Sequence, residues 1–325
     1  MDRLYQAVAE RGHVCVGLDT AVEYVPPRER SNAVSAAQVV LACNRALIEA
    51  TIDVAACYKV QIACYEAMGL EGLKTYAETL RCIRNRGALV IADIKRGDIA
   101  DTARRYARAH FEGDFEADFV TLSPYMGMDS IEPWLDYAET AGKGAFVLMR
   151  TSNRGRWDFE YLELKAAPGK DEGGAARSGA DPCRLYDAVG DKLSALARAH
   201  TGSHAYGAFG AVVGADPKSG AEREEAAAIR SRYANLFFLI PGYGAQGGAA
   251  EDAALLLQDG NGGVVNASRS ILRAWTAELK AAGRAYEGPD CEADMNFAAE
   301  AARRAAIAMR DDIRAAVSET PHKKV

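Results

Sequence analysis

Asp93 and Lys95 stand two residues apart in ALVIADIKRGDIADTARRY, at the end of an apolar run that reads as a β-strand. Successive strand side chains alternate in direction, so these two point to the same side. A carboxylate and an ammonium placed together after an apolar strand need one another to offset desolvation. Asp98 follows closely. Asp98 and Thr102 are four apart at a predicted helix start, which puts them on one face; Asp98 can equally serve as a helix N-cap. Lys59 lies in the apolar context CYKVQIACY, and Asp19 ends an earlier apolar run. Lys59, Asp93, Lys95 and Asp98 therefore alternate in sign. Such a set can hold its lysines as ammonium groups while placing negative charge beside a substrate carboxylate. A second constellation lies towards the C-terminus. LIPGYGAQGG offers a Gly-rich loop with Gln246 as a polar contact, and NASRS puts Ser268 and Arg269 at a helix start. Backbone N–H groups and a guanidinium in that position suit a phosphate dianion.

Positioning these residues requires parallel strands. Eight short β-rich runs alternate with helical patterns: 13–19, 53–60, 88–95, 118–124, 145–151, 209–215, 236–242 and 264–268. Most are almost continuously apolar, as expected of strands covered on both faces. Helical periodicity fills 33–52, 72–85, 101–111, 184–200 and 221–233. Eight repeats favour a closed (β/α)8 barrel over an open doubly wound sheet, and a barrel places its active site at the C-terminal ends of its strands. Barrels also frequently bind phosphate after strands seven and eight, where the Gly-rich loop and Arg269 fall. The segment 154–182, rich in Gly, Ala and charge, reads as a long, partly mobile loop after the fifth strand. The tail from Met295 reads as one further helix packed on the barrel exterior. No boundary for a second domain is visible, so residues 1–325 are expected to form one barrel domain with extra N- and C-terminal helices.

Composition limits the alternatives. Of 325 residues, 49% are hydrophobic and 26% charged, values ordinary for a soluble globular protein. The formal net charge of -6 argues against a nucleic-acid-binding surface. It leaves room for a small anionic ligand held by a few local cations. The seven cysteines include no CxxC pair, which suits a reducing compartment. Neither a signal peptide nor a stretch of ~18 apolar residues is evident, so a cytoplasmic protein without membrane partners is expected. One function that uses an Asp-x-Lys-x-x-Asp motif on a barrel is that of a magnesium-dependent sugar-phosphate decarboxylase or aldolase. Such an enzyme needs acidic and histidine residues at later strand ends, where this chain has SPY and RTSN. His200 and His204 are the one close histidine pair and read as loop residues. A non-catalytic nucleotide-binding barrel would keep the phosphate site and lose the charged set, which is intact here.

DIKRGDIADT resembles the DxKxxDIxxT signature of the orotidine 5'-phosphate decarboxylases, in the KRGDI form of one branch of that family. Supporting matches follow in family order from about residue 12 to residue 271: CVGLDT, YKVQIACYEAMG, TLSPYMGMDS, TSN, AVVGA, FLIPGYGAQGG and NASRSIL. Ser123 stands where Asn is expected before ProTyr, Asp216 stands where Thr is common, and the 154–182 loop is longer than usual. The resemblance implies a cofactor-free barrel enzyme that converts orotidine 5'-phosphate to uridine 5'-phosphate in pyrimidine biosynthesis. It implies that Lys95 protonates carbon six, that Asp93 faces the departing carboxylate, and that Lys59 bridges Asp93 and the ribose. Asp19 would bind the ribose hydroxyls, Ser152 the pyrimidine, and Pro241, Gln246, Ser268 and Arg269 would line the phosphate end. Asp98, Ile99 and Thr102 would enter the partner's site in a homodimer. No metal or cofactor is implied.

Overall fold

The structure is a computed structural model that describes residues 1–165, 183–215, 217, 219–244 and 249–319. Eight parallel strands close into a barrel. They are β1 (Val14–Gly17), β2 (Cys57–Gln61), β3 (Leu89–Arg96), β4 (Phe119–Leu122), β5 (Gly144–Arg150), β8 (Phe209–Val213), β9 (Phe238–Pro241) and β10 (Gly263–Ala267). Each falls on one of the eight predicted runs. The largest shift is at β2, which begins at Cys57 and not at residue 53, because 52–54 form the turn that ends the preceding helix. Closure pairs β1 with β10, Val14 opposite Val265. Two short strands, β6 (Glu163–Leu164) and β7 (Cys183–Arg184), form a separate antiparallel ribbon after β5.

Alternation along the strands divides the residues between two cores. Val14, Val16, Tyr58, Val60, Val90 and Ala92 face outward and pack under the helices. Cys15, Cys57, Leu89, Ile91, Phe119, Phe146, Val212, Leu239 and Val264 fill the barrel interior, which Leu4, Ala7 and Val8 of the helix Asp2–Arg11 close from below. One step further along the same inward rows the residue types change: Lys59, Asp93, Thr121, Pro241 and Asn266 follow the apolar layer. A packed floor of aromatic and aliphatic side chains therefore lies beneath a polar rim at the C-terminal strand ends. The tail helix Met295–Glu319 does lie on the barrel exterior, with Ala302, Ala306, Met309 and Ile313 buried in the outer core. Its alanines allow close approach to the helix Ala36–Thr51. Among the described residues no helix is long and apolar enough to cross a membrane, and the seven cysteines are free thiols.

The start of the expected 154–182 loop is ordered by a buried cation. Arg156, in the helical turn Arg156–Phe159, is 4% exposed and donates to Glu222 at 2.9 Å. The chain then enters β6; residues 166–182 lie outside the described residues.

Two buried histidines give the fold an acid-sensitive window. Burial pushes His13 and His110 down from 6.5 to about 4; at His13 a hydrogen bond to the Gly260 carbonyl opposes this in part. Between those values the unfolded chain binds protons that the folded protein refuses, so stability is complete above pH 6.5 and falls as the pH drops towards 4. Thermal unfolding followed across this range should show the loss. The His13→Gln/His110→Gln double variant should show a flatter dependence; an unchanged slope would place the acid sensitivity elsewhere.

Candidate active site

The C-terminal strand ends surround a cavity of about 330 Å³ to which every barrel strand, or the residues directly after it, contributes. The strand β2 sends in Lys59 and Gln61, β3 sends Asp93 and Lys95, and β4 sends Thr121. Leu148, Val212, Leu239 and Pro241 come from β5, β8 and β9, and Asn266 with Ser268 from the end of β10.

Asp93 is the hub. Its Oδ2 accepts from Lys59 Nζ at 2.7 Å and from Gln61 Nε2 at 3.0 Å. Its Oδ1 accepts from Lys95 Nζ at 2.6 Å and Thr121 Oγ1 at 2.8 Å. Lys59 Nζ also donates to Asp19 Oδ1 at 3.3 Å, and Asp19 Oδ2 accepts from Ser268 Oγ at 2.8 Å. The order Asp19, Lys59, Asp93, Lys95 is an alternating chain of charge across three strands. Burial alone would raise the Asp93 carboxyl, but the two ammonium groups outweigh it and hold the group well below the usual carboxylate range. Burial alone would lower Lys59; Asp93 and Asp19 outweigh it and raise the ammonium above its ordinary value. Both side chains are enclosed, at 6% and 7% exposure, whereas the Lys95 side chain is 47% exposed. The array thus presents one ammonium to the cavity from a fixed, charge-balanced base. Such a group can stabilise negative charge developing on a bound molecule and donate a proton to it.

The opposite end of the cavity is built where β1 meets β10. A Cβ on Gly17 would meet Ser268 Oγ at 2.0 Å, so only glycine lets the serine reach Asp19. Arg269, Pro241, Gly242 and Tyr243 line this end. Gly242 sits at φ +113, a conformation that favours glycine, and Tyr243 donates from its hydroxyl to Asp312 Oδ2 of the tail helix at 3.2 Å. Gln246 lies outside the described residues, as does Asp216. The side wall is the Thr151, Ser152, Asn153 segment. Glu160 fastens it from behind, accepting the Thr151 N–H at 2.8 Å and the Thr151 hydroxyl at 2.6 Å.

Asp98, Ile99 and Thr102 do not line this cavity. The helix begins at Ala100 with Ile99 as its N-cap residue, so Asp98 precedes the helix and does not share a helical face with Thr102. Asp98 Oδ1 instead accepts its neighbour's N–H, from Ile99, at 2.8 Å. Ala100, at φ +48, turns the chain at the first residue of the helix, which keeps Asp98 off its face. The N-cap alternative for Asp98 is likewise corrected. Ile99 is a large apolar residue left 43% exposed. His200 and His204 are loop residues near the barrel floor, His200 against Glu139 at 3.1 Å and His204 stacked on Tyr5.

Sequence reasoning missed Gln61, Thr121 and Asn266. Gln61 and Thr121 both bond Asp93, while Asn266 Nδ2 lies 3.5 Å from Ser268 Oγ. The signal was available in part: Gln61 and Asn266 are each two residues from a singled-out polar residue on the same strand face, Lys59 and Ser268.

Comparison with known proteins bears on the family of the chain. The family model described as "Orotidine 5'-phosphate decarboxylase / HUMPS family" matches residues 12–286. An orotidine 5'-phosphate decarboxylase of Clostridium perfringens (strain SM101 / Type A) is 50% identical over 316 residues, covering 97% of this chain and 98% of that protein. The enzyme of the same name from Clostridium acetobutylicum is 48% identical over 314 residues, with 97% and 98% covered. Among solved structures, Leishmania donovani OMP decarboxylase superimposes with a TM-score of 0.68 at 29% identity, covering 98% of each chain. These matches, over nearly the whole of a chain that folds as a closed barrel, place it in the orotidine 5'-phosphate decarboxylase / HUMPS family.

Proposed function

We propose that this chain removes the carboxylate of orotidine 5'-phosphate as carbon dioxide and releases uridine 5'-phosphate, the last step of UMP biosynthesis. The observation that carries this reading is Asp93 clamped between Lys59 and Lys95 at the edge of the cavity, with only Lys95 substantially exposed. Breaking the bond from carbon six to the carboxylate leaves an electron pair in the plane of the ring, where resonance cannot spread it. A fixed ammonium beside that carbon stabilises the pair electrostatically and then supplies the proton. Lys95 takes both roles and regains its proton from solvent. Asp93 faces the departing carboxylate, Lys59 joins Asp93 to the ribose, and Asp19 binds the ribose hydroxyls. Ser152 contacts the pyrimidine. Pro241, Gln246, Ser268 and Arg269 hold the phosphate, whose remote binding energy helps to organise the reacting end. Asp98, Ile99 and Thr102 serve the site of a second copy in a homodimer; their position outside their own cavity and the exposed Ile99 support this. The 325 residues act as one barrel domain, in the cytoplasm, without a cofactor.

Absorbance assays of orotidine 5'-phosphate with and without EDTA test the reading. Equal turnover is expected, because the Asp93 and Asp19 oxygens already accept from Lys59, Lys95, Gln61, Thr121 and Ser268. Activity lost to EDTA and restored by magnesium would favour the metal-dependent alternative. Arg269→Ala should raise KM for the phosphorylated substrate by about 100-fold, in line with loss of a charge-assisted contact, and affect orotidine much less. Equal losses on both substrates would show that Arg269 does not hold the phosphate.

A further inference from the structure

We propose that Thr121 is the positioning residue for Lys95, acting through a bulge in β3. The pairing of β3 with β4 runs from Ala92 opposite Val120 to Arg96 opposite Leu122, with a shift between them. Across that gap β3 carries Asp93, Ile94 and Lys95, while β4 supplies Thr121 alone. Extra residues on one strand lose regular ladder partners, and bulges of this kind re-aim side chains beside active sites. Here one buried hydroxyl replaces the ladder. Thr121 Oγ1 accepts the N–H groups of both Ile94 and Lys95 at 3.0 Å and donates its own proton to Asp93 Oδ1 at 2.8 Å. Its single proton and two acceptor positions are thereby all used.

The bulge also carries strain. Lys95 sits at φ +45, in the left-handed region that side chains other than glycine rarely adopt. Such a conformation is unfavourable and persists only where its surroundings over-determine it. The two amides gathered on Thr121 lead directly into that strained residue, the second being its own N–H, and the carboxylate on the same hydroxyl is the one that binds the Lys95 ammonium at 2.6 Å. Backbone and side-chain tip of Lys95 are thus referred to one oxygen on the neighbouring strand. Thr121 is 1% exposed, so water does not compete for these bonds.

This inference rests on the reading that Lys95 supplies the proton, and the test separates the two. Thr121→Val keeps the branched shape and removes the hydroxyl; Thr121→Ser keeps the hydroxyl. Thr121→Val should lower kcat by about 100-fold, the loss typical of a reacting group displaced by about 1 Å, while uridine 5'-phosphate binds within about threefold of wild type. Thr121→Ser should recover kcat to within about fivefold of wild type. Hydrogen exchange at the Ile94 and Lys95 amides should accelerate in Thr121→Val and return in Thr121→Ser, whatever the substrate. Should Thr121→Val not fold, Thr121→Cys replaces it, because sulfur accepts only weakly, and the same losses are expected. Unchanged exchange, or a hydroxyl-free variant with kcat within threefold of wild type, would overturn the role of Thr121. Wild-type protein that leaves orotidine 5'-phosphate intact would instead overturn the proposed reaction, with the exchange result still deciding whether Thr121 holds the bulge.

Discussion

Lys95→Ala is expected to lower turnover of orotidine 5'-phosphate by at least about 10⁴-fold while the barrel stays folded. In the proposed mechanism the substitution removes two contributions together: electrostatic stabilisation, worth about 10²–10³ for one fixed donor, and proton donation, worth about 10²–10⁴. In that mechanism it also leaves Asp93, which would face the substrate carboxylate, with one ammonium fewer, and so adds repulsion. The fold should tolerate the change because the Lys95 side chain is half-exposed and Asp93 keeps Lys59 at 2.7 Å, together with Gln61 and Thr121. Single-turnover assays at saturating substrate, with thermal unfolding as the control, provide the measurement. A variant within tenfold of wild-type kcat would remove Lys95 from the chemistry.

The second large effect is recovery of activity from two inactive proteins. If Asp98 works in the partner's barrel, each site combines Lys95 of one chain with Asp98 of the other, and Lys95→Ala and Asp98→Ala homodimers are both nearly inactive. In a mixed dimer one site carries both substitutions and the other carries neither. Random re-assortment of equal amounts makes about half the dimers mixed, with one intact site of two, so about a quarter of wild-type sites should return. The physical motive is that Asp98, Ile99 and Thr102 do not line their own cavity, and Ile99 leaves apolar surface uncovered. Subunits would be exchanged, mixed dimers verified by mass, and activity assayed. Verified mixed dimers without activity would refute a shared site.

Strand identity was legible from sequence because it is locally encoded. Continuous apolar runs of strand length, bounded by turns, located all eight barrel strands; the period of two put Asp93 and Lys95 on one side, but in the structure a bulge between Ala92 and Arg96 interrupts that alternation. The tail helix was legible for the same reason: Ala302, Ala306, Met309 and Ile313 recur at helical spacing and are buried together. The helical run 101–111 matches the helix Ala100–Phe111 to within one residue, but the shared face expected of Asp98 and Thr102 was not legible, because it is broken by left-handed backbone at Ala100, which residue type alone does not announce. The base of the segment after β5 resembled a loop because its order comes from an ion pair between Arg156 and Glu222, 66 residues apart.

Sequence by itself determined the residue types along each inward row, and with them that Lys59, Asp93 and Lys95 would share the cavity end of the barrel. Only the tertiary structure decided which of these groups touch. Asp19 and Ser268 are 249 residues apart and meet because β1 closes the barrel against β10, where Gly17 leaves room for the serine. Thr121 reads as an ordinary inward strand residue, yet the shift between β3 and β4 makes its hydroxyl the common partner of two amides and Asp93. The reason is physical: periodicity within a strand sets the direction of a side chain, whereas its partners follow from register and closure, which depend on the packing of the whole barrel.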